Sequence, residues 1–226
     1  MDLTKSYEFF QPEKCPSRIH IVGCGSVGST VAELLVRFGL TRLSLYDFDV
    51  VESKNLANQL YGFRDIGRPK VEALQDILSC INPEVPLDTK LFPSGWEGQR
   101  LSGYVFLCAD DMRVRRRIVE DNLYNSDIRA MFDFRTRLTD AQHYAADWSS
   151  LKARQNFLRS MQFSNEEAKQ ATPVSACNVP LSVAPTIRVI CSYGVANFIN
   201  FAKGGSLVPL LVADAFSFDL TSVAAN

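Results

Sequence analysis

A glycine-rich turn, Gly23-Cys24-Gly25-Ser26-Val27-Gly28, sits between a short β-rich run (18–22, RIHIV) and a stretch where Val31, Leu34, Leu35 and Phe38 recur at helical spacing. Gly39 ends that stretch. A strand feeding a helix through G-x-G-x-x-G narrows the possible folds sharply. The first glycine permits the tight turn, the second lets backbone N–H groups approach a phosphate, and the third allows close helix packing. The alternation continues beyond it. Strand-like runs at 43–46, 104–108 and 128–132 are interleaved with helix-period segments at 71–81 and 112–124. Crossovers of this length predict an α/β fold, Rossmann-like and doubly wound, with a mostly parallel sheet and helices on both faces. Ligands of such sheets bind beyond the carboxyl ends of the strands, and Asp47, Asp110 and Asp133 are each expected just past such an end.

The remainder is less regular. Partial alternation over 138–148 suggests edge strands, 149–169 reads as a polar helix, 172–180 as loop and 181–201 as an apolar helix, while 207–220 alternates weakly as strands or a hairpin would. With no repeat and no linker, the expectation is one domain over 1–226. Its nucleotide-binding core would lie at about 17–135, and a C-terminal helix-plus-strand elaboration at about 136–226.

Charge and cysteine usage bound the partners. Lys+Arg 24 against Asp+Glu 25 leaves a net charge of −1, so no strong field recruits nucleic acid or an anionic membrane. The polar start of the chain does not read as a signal peptide. The apolar stretch 181–202 carries Pro185, Arg188, Asn197 and Asn200, which favours a core helix over a membrane span. Six scattered cysteines without a CxxC pair suggest a cytoplasmic chain without structural zinc. His20 and His143 have no partner at metal-ligand spacing and are assigned no chemistry.

The glycine turn alone serves NAD, FAD, S-adenosylmethionine and ATP alike, and Asp47 lies where a carboxylate would accept ribose hydroxyls in several of these. The following residues separate the possibilities. Asp47-Phe48-Asp49-Val50-Val51, Asn55-Leu56-Ala57-Asn58-Gln59 and Asp65-Ile66-Gly67-Arg68-Pro69-Lys70 closely resemble, in order, the D-x-D-x-V, N-L-x-R-Q and D-[IV]-G-x-x-K segments of the ThiF/MoeB family. That family comprises the adenylating enzymes that include activating enzymes for ubiquitin and ubiquitin-like proteins. Cys108-Ala109-Asp110-Asp111 with Arg115 is similar to its T-D-N-x-x-x-R segment, and Asp133-x-Arg135 to the D-x-R of its small bacterial and phage members.

The resemblance implies that Gly23, Gly25, Ser26, Val27 and Gly28 face the phosphates of ATP. It implies that Asp47, with Asp49 beside it, lies at the ribose, that Asn55, Gln59 and Lys70 contact the triphosphate, and that Asp110 holds magnesium. The implied reaction is ATP-dependent adenylation of the C-terminal carboxylate of a small ubiquitin-like protein or peptide, releasing pyrophosphate, by a protein that pairs as a homodimer. A lysine charge and a metal-holding carboxylate suit pyrophosphate departure, whereas hydride transfer needs neither, so an NAD-linked oxidoreductase is disfavoured. Taken by themselves, Lys70 also fits a helix-surface charge after Pro69, and Asp110 an N-cap of the next helix.

One position departs from the family pattern. Asn58 stands where the family carries the arginine of N-L-x-R-Q, so that catalytic position donates a hydrogen bond without charge. Arg64, Arg68 or the cluster Arg113, Arg115, Arg116 and Arg117 are candidates to replace it. The alternative function is a catalytically degenerate member that binds nucleotide or a partner without turnover. Cys177, ahead of the apolar helix, is a candidate nucleophile if a helix N-terminus lowers its pKa, and otherwise a packed small side chain.

Overall fold

The computed structural model describes residues 1–163, 167, 173–174 and 181–223. In chain order the main elements are β1 (Ile19–Val22), α1 (Ser26–Arg37), β2 (Leu43–Tyr46), α2 (Lys70–Ile81), α3 (Val85–Asp88), β3 (Lys90–Phe92), β4 (Gly103–Leu107), α4 (Met112–Asp121), β5 (Ile128–Thr136), β6 (Asp140–Asp147), α5 (Leu151–Arg159), α6 (Ala184–Ala202), β7 (Leu210–Asp214) and β8 (Asp219–Val223). The eight strands form one sheet in the order β3-β2-β1-β4-β5-β6-β7-β8. The five strands from β3 to β5 run parallel, and β6, β7 and β8 join antiparallel. The strand order reverses between β1 and β4, which opens a crevice beyond their carboxyl ends.

Both faces of the sheet are covered, so its central strands are apolar without interruption. Along β4, Tyr104 and Phe106 pack in the core with Val31 and Leu35 of α1, Leu74 and Leu78 of α2, and Phe198 of α6. Val105 and Leu107 face the opposite way, into a second core with Ile118 of α4, Phe157 of α5 and Trp148. Gly194 is required where α6 crosses the sheet, because a Cβ there would lie 2.3 Å from the Phe134 ring. None of the described helices is long and apolar enough to cross a membrane.

Three expectations need correction. β5 does not stop at Phe132 but continues to Thr136, so Asp133 lies within the strand, fully buried and paired in register with Leu107 and Tyr144. Its charge is compatible with that position because two arginines meet it, as described below. The 138–148 segment is not an edge. It forms β6, flanked by β5 and β7. The helix expected over 149–169 is observed as α5, Leu151–Arg159, while residues 164–166, 168–169, 172 and 175–180 fall outside the described residues. The short α3 and β3 carried too little periodicity to be recognised.

His20 and His143 are both buried in the core. His20 Nδ1 lies 2.8 Å from the Tyr46 hydroxyl, and His143 Nε2 accepts from Asn197 at 3.3 Å. Burial, above all, pushes both imidazoles down to about 4. An unfolded chain therefore binds protons on these rings between pH 6.5 and 4 that the folded chain refuses, and stability is lost as pH falls through that window. Each ring contributes on the order of 3 kcal/mol of that loss when the window is crossed. Denaturant unfolding of wild type and His143→Gln at pH 7 and 4.5 is expected to show a shallower decline in the variant. Equal declines would contradict a buried neutral His143.

Candidate functional site

The glycine turn follows β1, and its shape is set by lack of room. Gly23 adopts φ +95°, and a Cβ there would lie 2.6 Å from the Ala109 nitrogen in the turn after β4. A Cβ on Gly28 would lie 1.8 Å from the Gly23 carbonyl oxygen. Gly25 is different, because its nearest neighbour is the Gln59 amide nitrogen at 3.9 Å, which leaves the middle of the turn open. α1 begins at Ser26 with no side-chain cap and no acid in its first turn. The N–H groups of Ser26, Val27 and Gly28 thus have no intrahelical acceptor, and with the helix dipole they form an anion-binding end.

Asp47 ties this turn to β2. Its Oδ2 accepts from the Cys24 N–H at 2.7 Å and its Oδ1 from the Asp49 N–H at 2.9 Å. Burial raises its pKa despite the opposing charge of Lys70 and those two N–H groups. Segment 47–51 then zips against 67–70, with Gly67 N donating to Val51 O and Val51 N to Arg68 O. Lys70, the first residue of α2, is bound twice to Asp49: its N–H donates to the Asp49 carbonyl at 3.0 Å and its Nζ to Oδ2 at 2.7 Å. Lys70 is 7% exposed, so it is not a surface charge. Burial opposes its ammonium form, but the Asp49 hydrogen bond and the charges of Asp47 and Asp49 outweigh that and raise its pKa.

Residues 53–59 pass over the turn as a 3₁₀ segment (Ser53–Ala57) and its exit. Asn55 is buried, and its Oδ1 accepts from the Glu52 N–H at 2.8 Å, so part of its amide serves the local turn. Gln59 lies beside Gly25 through its amide nitrogen, and its buried Oε1 has no partner among the described residues. Asn58 is half-buried one residue earlier. Tyr61 was not singled out in the sequence. Its buried hydroxyl donates to the Cys24 carbonyl at 2.6 Å and lies 3.3 Å from that of Lys70, joining the turn to α2. A tyrosine just past N-L-x-N-Q carries no local signal of such a role.

Asp110 is exposed after β4, where the Cys108 N–H donates to the Val22 carbonyl at 2.8 Å and holds the β4 turn against β1. Asp110 is not the N-cap of α4. Asp111 is, accepting from the Arg113 N–H. Among the described residues no three His, Cys, Asp or Glu side chains cluster to hold a metal ion. Magnesium fits here nonetheless, since it is commonly held by one or two carboxylates with substrate phosphates and water, and Asp110 directly follows the Cys108–Ala109 backbone that packs against Gly23.

The arginine cluster disperses in three dimensions. Arg113 pairs with Asp111, Arg116 with Glu120, and Arg117 with Glu97 and Asp121, a solvated face. Arg115 turns inward, 7% exposed, to Asp133 at 3.0 Å. Arg68 is taken by Asp65 and Asp76. Arg64 is exposed and forms no ion pair with a described residue. Cys177 lies outside the described residues, while Cys24, Cys108 and Cys191 are buried as core residues.

Tyr61→Phe tests the link between turn and helix. Loss of the hydroxyl leaves the Cys24 carbonyl without that partner in a buried setting and is expected to cost about 1–3 kcal/mol in urea unfolding. An unchanged midpoint would show that the bond contributes nothing.

Comparison with known proteins agrees with this layout. A 92-residue stretch is 37% identical to ubiquitin-like modifier-activating enzyme 5 of Caenorhabditis briggsae, covering 41% of this chain and 20% of that protein. A 71-residue stretch is 45% identical to the enzyme of the same name from Oryza sativa subsp. japonica, covering 31% of this chain and 17% of that one. The matches thus span about a fifth of these curated relatives. Among solved structures, E. coli MccB with succinimide superimposes with TM-score 0.68 at 18% identity, covering 94% of this chain and 65% of that one. PaaA superimposes with TM-score 0.70 at 16% identity, covering 99% and 68%. At such identity these structures speak for the fold, a ThiF-type Rossmann-like sheet. The ThiF family model itself matches residues 13–225, and the chain belongs to the ThiF family.

Proposed function

We propose that this protein is an ATP-dependent adenylyltransferase that activates the C-terminal carboxylate of a small ubiquitin-like protein or peptide and releases pyrophosphate, working as a homodimer. The observation that carries the proposal is Lys70, a nearly buried ammonium held by Asp49 beside the open anion-binding end of α1. Asp49 and Asp47 keep this ammonium charged beside the glycine turn, and hydride transfer has no use for such a charge. The relatives named ubiquitin-like modifier-activating enzyme 5, and the solved structures of MccB with ATP and with MccA, support the same class.

In this reading the N–H groups of Ser26, Val27 and Gly28 receive phosphate oxygens, and Asp47 uses its remaining lone pairs for the ribose while it holds Cys24. Asn55 and Gln59 lend amide groups to the triphosphate. An oxygen of the acceptor carboxylate attacks the α-phosphorus, the bond from that phosphorus to the bridging oxygen breaks, and pyrophosphate leaves with the bonding electrons. Lys70 moves from Asp49 toward the departing charge. Magnesium held at Asp110 would supply charge neutralisation for the phosphates.

Asn58 favours a second reading, a nucleotide-binding member without turnover, because it brings no positive charge to the position. Of the arginines considered as replacements, Arg64 is the one without an ion pair among the described residues. If it serves, Arg64→Ala is expected to lower pyrophosphate exchange into ATP by roughly 10²–10³, and Asn58→Arg in the same chain to restore much of it. Exchange that is absent from wild type and from Asn58→Arg with every candidate carboxylate, while ATP still binds, would select the binding-only reading.

A further inference from the structure

Asp133 is fully buried between two guanidinium groups. Its Oδ1 lies 3.0 Å from Arg115 Nη1 and its Oδ2 2.7 Å from Arg135 Nε. Neither arginine ends there. Arg115 Nη1 also donates to the Phe134 carbonyl at 2.5 Å, and its Nε donates to the carbonyl of Ala109. Arg135 donates to the carbonyl and the hydroxyl of Ser160, at 2.7 and 2.8 Å, and stacks between the Tyr144 and Phe163 rings, 4.0 and 5.1 Å from their centroids. A continuous set of charged hydrogen bonds thus runs from the end of α5, through the middle of β5, to the residue that precedes Asp110.

The inner end of this set is confined from the other side. The Ala109 nitrogen and the Cys108 carbonyl carbon lie so close to Gly23 that a Cβ there would meet them at 2.6 and 2.7 Å. The 108–110 backbone is therefore held between the glycine turn and the Arg115 guanidinium, and its position fixes where the Asp110 carboxylate stands relative to the anion-binding end of α1. Two buried charges and a third, half-buried one are an expensive way to add stability, since apolar residues of similar volume commonly do as well. They are a good way to fix geometry, because a planar guanidinium in two or more charged hydrogen bonds has little freedom.

We propose that Arg115, Asp133 and Arg135 are positioning residues for Asp110: they set the turn after β4 so that its carboxylate presents to the magnesium of bound nucleotide, and they make that presentation depend on the packing of Ser160 and Phe163. This rests on the assignment of Mg·ATP to the site. The substitution of choice is Arg135→Met, at the far end from Asp110, with Arg135→Lys as the milder change. Lysine keeps the charge, so folding is supported, but an ammonium does not span Asp133 and both Ser160 oxygens together.

The test measures the rise in melting temperature caused by ATP as magnesium is titrated, in wild type, Arg135→Met, Arg135→Lys, Asp110→Asn and the Asp110→Asn/Arg135→Met double variant. Arg135→Met is expected to raise the magnesium concentration for half of the ATP effect about tenfold, and Arg135→Lys to raise it less. In the Asp110→Asn background the Arg135 change is expected to add nothing, because both act on one carboxylate. A lowered melting temperature with an unchanged magnesium midpoint in both Arg135 variants would overturn the proposal and leave the triad structural, as would full additivity with Asp110→Asn. A wild type that responds to ATP regardless of magnesium would overturn the metal assignment along with it, a result distinct from the other two.

Discussion

Three backbone segments meet beyond the carboxyl ends of β1 and β4 with no room for a side chain between them. Gly28 rests on the carbonyl of Gly23, and Gly23 rests on the Cys108–Ala109 peptide. The glycine turn is thereby pressed against the turn after β4, and α1 starts from that turn without a side-chain cap. A parallel sheet provides the crevice, but this contact gives it a particular shape.

Charge is then distributed around a rigid frame. Asp47 holds Cys24 and Asp49, Asp49 holds Lys70, and the Tyr61 hydroxyl joins Cys24 to the Lys70 carbonyl, so the cation and the phosphate turn belong to one hydrogen-bonded unit. On the far side, Arg115 and Asp133 hold the Asp110 turn. Lys70 and the backbone that precedes Asp110 therefore each belong to a hydrogen-bonded frame built against the glycine turn.

Much of this was legible in the sequence because the signals are local. A β-run, a glycine turn and a helical period identify β1, the turn and α1 without reference to the rest of the chain, and the ordered motif from Asp47 to Lys70 places the cation. What escaped depends on contacts between distant segments. In sequence Asp133 reads as a strand end because a carboxylate interrupts an apolar run, whereas β5 continues through it with Arg115 and Arg135 paired to its charge. The inward turn of Arg115 was hidden among four arginines that share one helix with opposite faces. Tyr61 reads as an ordinary aromatic until Cys24 is folded beneath it. The three residues of β3, partly exposed at the sheet edge, carry too little pattern to announce a strand.

The central claim is that Lys70 is a stored charge for the triphosphate, and the most direct measurement is calorimetric binding of ATP and AMP to wild type and Lys70→Met. Both nucleotides share the adenine and ribose contacts, so their difference isolates the β- and γ-phosphates. Wild type is expected to bind ATP at least about tenfold more tightly than AMP, as one charge-assisted contact is worth about 1.5–3 kcal/mol. Lys70→Met is expected to erase most of that preference while leaving AMP affinity nearly unchanged. A preference for ATP that survives the substitution, or an equal loss of affinity for both nucleotides, would contradict the account.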